Sequence, residues 1–325
     1  MFTPSNKDLY NVVKRDEDPQ DQRLAHHVTR FEGLFEIFIE KLQENDVVIL
    51  GYPDDRGVER NGGRTGAFAA PDQIRKYLLR LTPSYQSKTL PKIWDLGNLK
   101  TWSQDLLVAH EEARECIKKI RRRGARIVSL GGGHDWAYPD FVDIAEDSKN
   151  AARIINIDAH LDVRPNPKDE AREGHSGTPF RRILEAPRKG KAPEIMAVGL
   201  QESCNARTHV EWAHSRKITT LFLDEVPENL ERRWPFVVDR LQISDEATYG
   251  LSIDLDAFPQ FISPGVSAPQ VLGLDPRLVY KMIQTLGTSV RHLGIYEYNP
   301  NYDVDGRSAR LAAHLVYHYL MTLSS

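Results

Sequence analysis

The chain has 325 residues, 40% of them hydrophobic and 27% charged, and a formal net charge of -3. That length carries one large α/β domain or two smaller ones, and the near balance of charge gives no electrostatic footprint for nucleic acid, so the expected partner is a small molecule. Met1 to Tyr10 lacks the basic-then-apolar run of a leader, and no apolar run is long enough to span a bilayer; the reading is a cytoplasmic protein that does not enter membranes.

Residues 1–45, where Lys, Asp and Glu abound, read as a helical arm, and 46–325 as a single domain, because no repeat or low-complexity linker divides them. Short β-rich runs recur at Asp46 to Pro53, Lys92 to Leu99, Ala125 to Gly131, Arg153 to Asp158, Glu194 to Gly199, Thr219 to Leu223, Thr248 to Asp254 and Ser289 to Glu297, with helical patterns between most of them. This alternation predicts an α/β fold whose mostly parallel sheet is buried on both faces. The clearest helix is capped by Ser103, puts Leu106, Ala109, Ala113, Cys116 and Ile120 on one stripe and stops at Gly124. Lys118, Lys119, Arg121, Arg122 and Arg123 at its end complement the helix dipole and are read as solvated, not as a nucleic-acid patch. Cys116 and Cys204 neither frame a disulfide scaffold nor build a thiolate metal site.

The chemistry gathers where strands end. Val128 to Leu130 run into Gly131, Gly132 and Gly133, and His134 and Asp135 follow at once. Ile154 to Ile157 deliver Asp158, His160 and Asp162 at alternate positions, and Leu251 to Ile253 deliver Asp254 and Asp256 at the same spacing. On an extended backbone, that spacing points side chains the same way, and the carboxyl ends of parallel strands are where such sheets bind ligands. One strand-end carboxylate pair is ordinarily a cap or a salt bridge, and one His ordinarily structural. Four carboxylates and two imidazoles converging would repel and lose hydration unless divalent cations compensate them, and hard oxygen with borderline nitrogen favours manganese.

Gly132-Gly133-His134-Asp135, the Asp158 to Asp162 run, His175-Ser176-Gly177-Thr178-Pro179, the Ser252 to Asp256 run with Ser263-Pro264-Gly265, and Glu297-Tyr298-Asn299-Pro300 resemble, in order, the signature blocks of the arginase–agmatinase–formimidoylglutamase family, the ureohydrolases. The resemblance implies a three-layer α/β/α sandwich with a mostly parallel sheet of about eight strands. It implies that His134, Asp158, Asp162 and Asp254 hold one ion and Asp158, His160, Asp254 and Asp256 the other, with Asp158 and Asp254 bridging. Two Mn2+ per subunit would make water a nucleophile near neutral pH for attack on an amidine or guanidine carbon. Asp162 would relay a proton to the leaving amine, His175 would exchange protons with solvent, and Glu297 would pair with the cationic C–N group of the substrate.

Gly51 to Val58, Asn61 to Ala67, Asp162-Val163-Arg164-Pro165 and Ser176 to Arg181 are similar to blocks of the formimidoylglutamase branch. The substrate so implied is N-formimidoyl-L-glutamate, cleaved to L-glutamate and formamide in histidine degradation. Its carboxylates call for arginine forks, for which Arg164, Arg181 and Arg64 are the candidates; the alternative for Arg164 and Arg181 is pairing with Asp169, Glu170 or Glu173. A guanidine hydrolase of the arginase or agmatinase kind is the competing reading. A non-catalytic metal-binding relative should have lost a ligand, and a single-zinc deacetylase would need fewer carboxylates. A homo-oligomer is a candidate assembly.

Overall fold

The computed structural model describes residues 1–12, 18, 21–87, 89–101, 105–146, 150–167, 173–188 and 190–324. Runs rich in Val, Ile and Leu make strands with no solvent side, and every residue of β3 (Val47–Gly51) and β5 (Arg126–Leu130) is buried. The other strands are β1 (Phe2–Thr3), β2 (Val28–Arg30), β4 (Ile93–Leu99), β6 (Ala152–Ile157), β7 (Glu194–Leu200), β8 (Thr219–Phe222), β9 (Thr248–Asp254) and β10 (Val290–Tyr296). They form one ten-stranded sheet in the order β1-β4-β3-β5-β10-β9-β6-β7-β8, with β2 also on β4, and every pairing but β1 with β4 is parallel.

All eight expected strands are present. The two additional ones, β1 and β2, come from the first 30 residues and are only two and three residues long, too short to leave a periodic signal. The stretch read as a helical arm thus contributes to the sheet edge, and the one α-helix among its described residues, α1 (Phe35–Lys41), buries Phe35 and Phe38. Tyr10 donates to Asp95 on β4 at 2.5 Å, and the same carboxylate takes a two-point grip from the buried Arg75 guanidinium, at 2.9 and 3.0 Å.

The helices that follow are α2 (Arg56–Arg60), α3 (Ala70–Leu78), α4 (Leu106–Arg122), α5 (Ala137–Phe141), α6 (Pro179–Glu185), α7 (Arg207–Ser215), α8 (Leu230–Arg240), α9 (Pro276–Leu286) and α10 (Arg307–Thr322). Successive side chains alternate across each strand, so Ile49, Val128 and Ile155 join α3, α8, α9 and α10 in one core, while Val48, Ile127 and Ile154 join α1, α4, α5, α6 and α7 in another. These are the three layers. The α4 stripe is buried as expected, but its cap is Asp105, whose side chain accepts from the Leu107 amide at 2.8 Å; Ser103 lies outside the described residues. Among the described residues, no helix is long and apolar enough to cross a membrane.

Candidate metal centre

The four middle strands, β5, β10, β9 and β6, are neighbours, and each ends in one of the expected site segments. His134 follows β5 through a glycine turn; a Cβ on Gly132 would overlap the Asp54 carbonyl, so only glycine lets the two backbones approach this closely. Glu297 follows β10, Asp254 closes β9, and Asp158 follows β6. The chain order is scrambled across these strands, which is where an open parallel sheet leaves a crevice.

His134 is wholly buried, and its Nδ1 lies 3.2 Å from Asp158 Oδ2, 2.9 Å from Asp162 Oδ2 and 3.1 Å from Asp254 Oδ2. Beside this group, His160 Nδ1 lies 3.0 Å from Asp256 Oδ2 and 3.5 Å from Asp158 Oδ1. Two ligand sets result, His134–Asp158–Asp162–Asp254 and Asp158–His160–Asp256, and they share Asp158. Asp158 presents one oxygen to each. Asp254, whose Oδ1 accepts from the Asp256 amide at 2.8 Å, stands in the first set.

The backbone does not stay extended through these motifs, so simple strand alternation is not what brings them together. Leu255–Ala257 is a 3-10 turn, and Asp162 sits in a left-handed conformation with φ +50°. Instead the first Asp of each motif accepts the amide two residues on, His160 N to Asp158 Oδ1 at 2.7 Å and Asp256 N to Asp254 Oδ1 at 2.8 Å. This Asp-turn folds the second ligand back toward the first.

A direct test of whether these groups suit a cation is the bonding that their own contacts leave open. His134 Nδ1, surrounded by three carboxylate oxygens, makes no hydrogen bond, and neither does the buried Asp256 Oδ1. A buried donor set of this kind is satisfied by a metal. Charge tells the same story. Burial, joined by the Asp256 and Asp158 charges, pushes the Asp254 carboxyl well above its ordinary range, and burial lifts Asp256 to about 6. Burial would also raise Asp158, but the two imidazoles outweigh it and hold that carboxyl low.

Polar partners behind the ligands aim them. His134 Nε2 meets Ser252 Oγ at 2.8 Å, and Asn156 Nδ2 donates to Asp158 Oδ2 at 3.1 Å. Sequence reasoning assigned neither a role. Their signal was available: Asn156 and Ser252 each stand two residues before an aspartate in otherwise apolar strands, and they are register partners across β6 and β9. Asp135, equally unassigned, is buried against His110 Nε2 at 2.8 Å.

Glu297 is buried with φ +63°, and its Oε1 accepts the His134 amide at 2.9 Å; burial pushes its carboxyl up to about 8. His175 is buried in the loop before α6, and its Nδ1 accepts the Gly177 amide at 3.1 Å, which leaves the proton of the neutral ring on Nε2. The three arginines differ. Arg164 is exposed, its NH1 donating to Asn61 Oδ1 at 3.1 Å. Arg181 pairs with Glu185 at 3.0 Å on its own helix and lies over Trp212. Arg64 is tied to the Ser267 and Val266 carbonyls at 3.0 and 2.5 Å and stacks on Tyr302. Burial, then the Arg164 and Arg181 charges, hold the His209 imidazole below its ordinary value while Asp162 opposes them, so both arginines and Asp162 act on one ring of α7. The acidic neighbours Asp169 and Glu170 lie outside the described residues.

Comparison with known proteins matches this architecture. The family model described as the arginase family covers residues 45–322. A curated formimidoylglutamase from Staphylococcus haemolyticus is 31% identical over 326 residues, spanning 99% of this chain and 100% of its own, and one from Salmonella paratyphi C is 32% identical, spanning 92% and 91%. The crystal structure of Trypanosoma cruzi formiminoglutamase with Mn2+ is similar at TM-score 0.74 and 28% identity, covering 90% of this chain and 98% of that one. Formimidoylglutamase from Bacillus subtilis shares the fold at TM-score 0.77 and 22% identity, covering 98% of each. The chain belongs to the arginase family and is a hydrolase of C–N bonds in linear amidines.

Proposed function

We propose that the chain is a manganese-dependent formimidoylglutamase with two Mn2+ per subunit, converting N-formimidoyl-L-glutamate to L-glutamate and formamide. The observation that carries this reading is the pair of ligand sets meeting at Asp158, each with an imidazole and carboxylates. In it, His134, Asp158, Asp162 and Asp254 hold one ion, and His160, Asp256 and Asp158 the other. Bound manganese supplies a water-derived nucleophile near neutral pH. Two overlapping sets favour this over a single-zinc deacetylase, and a complete set favours it over a relative without activity. The cytoplasm is the proposed place of work, in keeping with two unpaired thiols at Cys116 and Cys204.

The chain's own groups divide the remaining work. Glu297 pairs with the amidinium, whose positive charge restores the carboxylate that burial disfavours. Asp162, at the mouth side of the cluster, takes a proton and passes it to the leaving amine, and His175 exchanges protons with solvent through Nε2. Arg164 grips a substrate carboxylate, with Arg181 nearby. Arg64 is bound to backbone carbonyls and supports the rim instead. The relatives' names favour the formimidoyl substrate, and an exposed Arg164 two residues past Asp162 fits a dicarboxylate better than a cationic amine such as agmatine.

The test is metal counting followed by assay of the manganese-loaded protein on N-formimidoyl-L-glutamate, arginine, agmatine and guanidinobutyrate side by side. Two manganese ions per subunit and turnover of the first compound above the rest are expected. Preference for a guanidine substrate would overturn the assignment of substrate, and one zinc per subunit the assignment of chemistry.

A further inference from the structure

The run that carries Asp158, His160 and Asp162 leaves the sheet at Ile157 and continues without a strand partner of its own. Its first contacts extend the β6–β7 ladder, Asp158 N to Val198 O at 3.0 Å and Gln201 N to Ala159 O at 3.0 Å, while on its other side β7 shifts register against β8 around Gly199, at φ +94°. Beyond that point a side chain takes over. Asn205, in the turn before α7, accepts the Leu161 amide on Oδ1 at 2.8 Å while its Nδ2 donates to the Ala159 and Gln201 carbonyls, both at 2.9 Å. His160 is therefore the residue between two peptide groups held by one amide, and Asp162 follows directly in its left-handed conformation.

We propose that Asn205 is a positioning residue that stands in for a missing strand, fixing His160 and Asp162 where they face Asp256 and His134. The consequence for metal rests on the proposed dimanganese reading; the clamp itself does not. Only a side-chain amide suits the place, because it must accept one N–H and donate to two carbonyls at once. Aspartate would set a carboxylate against two carbonyl oxygens, and alanine would leave the Leu161 amide unmatched and take from the Ala159 and Gln201 carbonyls one of the two donors each now has. A left-handed aspartate is a conformation that persists only where its surroundings over-determine it, and the Asn205 clamp supplies part of that determination. Residues that hold ligands from behind typically change metal affinity by about 10- to 100-fold.

The experiment uses the full chain freed of metal, with Mn2+ alone as probe. Free Mn2+ is followed by electron paramagnetic resonance during titration of the parent, Asn205→Ala and Asn205→Asp, and exchange of the Leu161 amide is measured in the same metal-free proteins. Expected are manganese binding weakened about 10- to 100-fold in the Ala variant, at least as much in the Asp variant, and Leu161 exchange accelerated at least about tenfold. Should both variants fail to fold, Asn205→Gln keeps the amide but displaces it by one methylene, and a smaller loss of the same kind is expected. Manganese affinity within twofold of the parent together with unchanged Leu161 exchange would overturn the proposal. A parent that takes up no manganese would sink the metal reading, while Leu161 exchange would still decide whether Asn205 clamps the loop.

Discussion

His134, Asp158, Asp254 and Asp256 are almost wholly buried and end, or directly follow, adjacent strands, whereas Arg64, Arg164 and Arg181 come from loops or a short helix and keep contact with solvent. Register between β5, β10, β9 and β6 leaves the first group little freedom, because shifting one strand would move its whole apolar set out of the core. The rim has no such constraint, and each arginine there has found a different partner. Burial makes the floor an all-or-none device. Exposure makes the rim adjustable, with effects that depend on how far each guanidinium is already engaged.

The largest expected effect lies in the floor. Asp158 serves both ligand sets, so Asp158→Ala should remove tight manganese binding from both and cut activity by about a thousandfold or more, whereas Asp256→Ala should mainly weaken one ion. Metal content per subunit decides it; two tightly held ions in the Asp158 variant would end the bridging assignment. Next comes Arg164 on the rim. If its fork holds a substrate carboxylate, Arg164→Ala should lower kcat/KM for N-formimidoyl-L-glutamate by roughly 30- to 1,000-fold, about 2–4 kcal/mol, with manganese retained. Lys should restore part of this, since an ammonium lacks the planar fork.

A smaller change should follow from Ser252→Ala, which leaves the His134 Nε2 proton without its acceptor. Manganese affinity should fall about 10- to 100-fold, and isothermal titration would expose an unaltered affinity as a contradiction. The smallest catalytic effect is expected at Arg64. Two of its hydrogen bonds go to backbone carbonyls, so Arg64→Ala should cost about 1–3 kcal/mol in urea unfolding while changing kcat/KM less than Arg164→Ala does. A loss on substrate as large as that of Arg164 would move Arg64 into the binding group.

The sheet and the cluster of acidic and imidazole side chains at its strand ends were legible for one reason. A parallel strand covered on both faces must be continuously apolar, so Asp158 and Asp254 at the end of such a run stand out. The two Asp-turns were not legible, because alternate spacing is compatible with either an extended or a turned backbone. Asn205 was hidden further, since its partners at Ala159, Leu161 and Gln201 are backbone groups that carry no side-chain signature. That the arm adds strands to the sheet escaped notice through the brevity of β1 and β2. Arg181 stood in the right block, but no spacing rule distinguishes a guanidinium aimed at a ligand from one paired with Glu185 four residues along its helix.

The divided edge of β4 has a consequence for the behaviour of the chain in concentrated solution. β2 covers Ile93 to Asp95 and β1 covers Asn98 to Leu99, with opposite directions, and the Lys100 amide bonds the Met1 carbonyl at 2.7 Å. A foreign strand approaching this side would have to match a parallel segment of three residues and an antiparallel one of two in succession, neither long enough for a ladder of its own. Each side of the sheet therefore offers only short strands as templates for growth from molecule to molecule, β1 and β2 at one side and the four-residue β8 at the other, and the opening residues act as a guard for the long, largely apolar strands within.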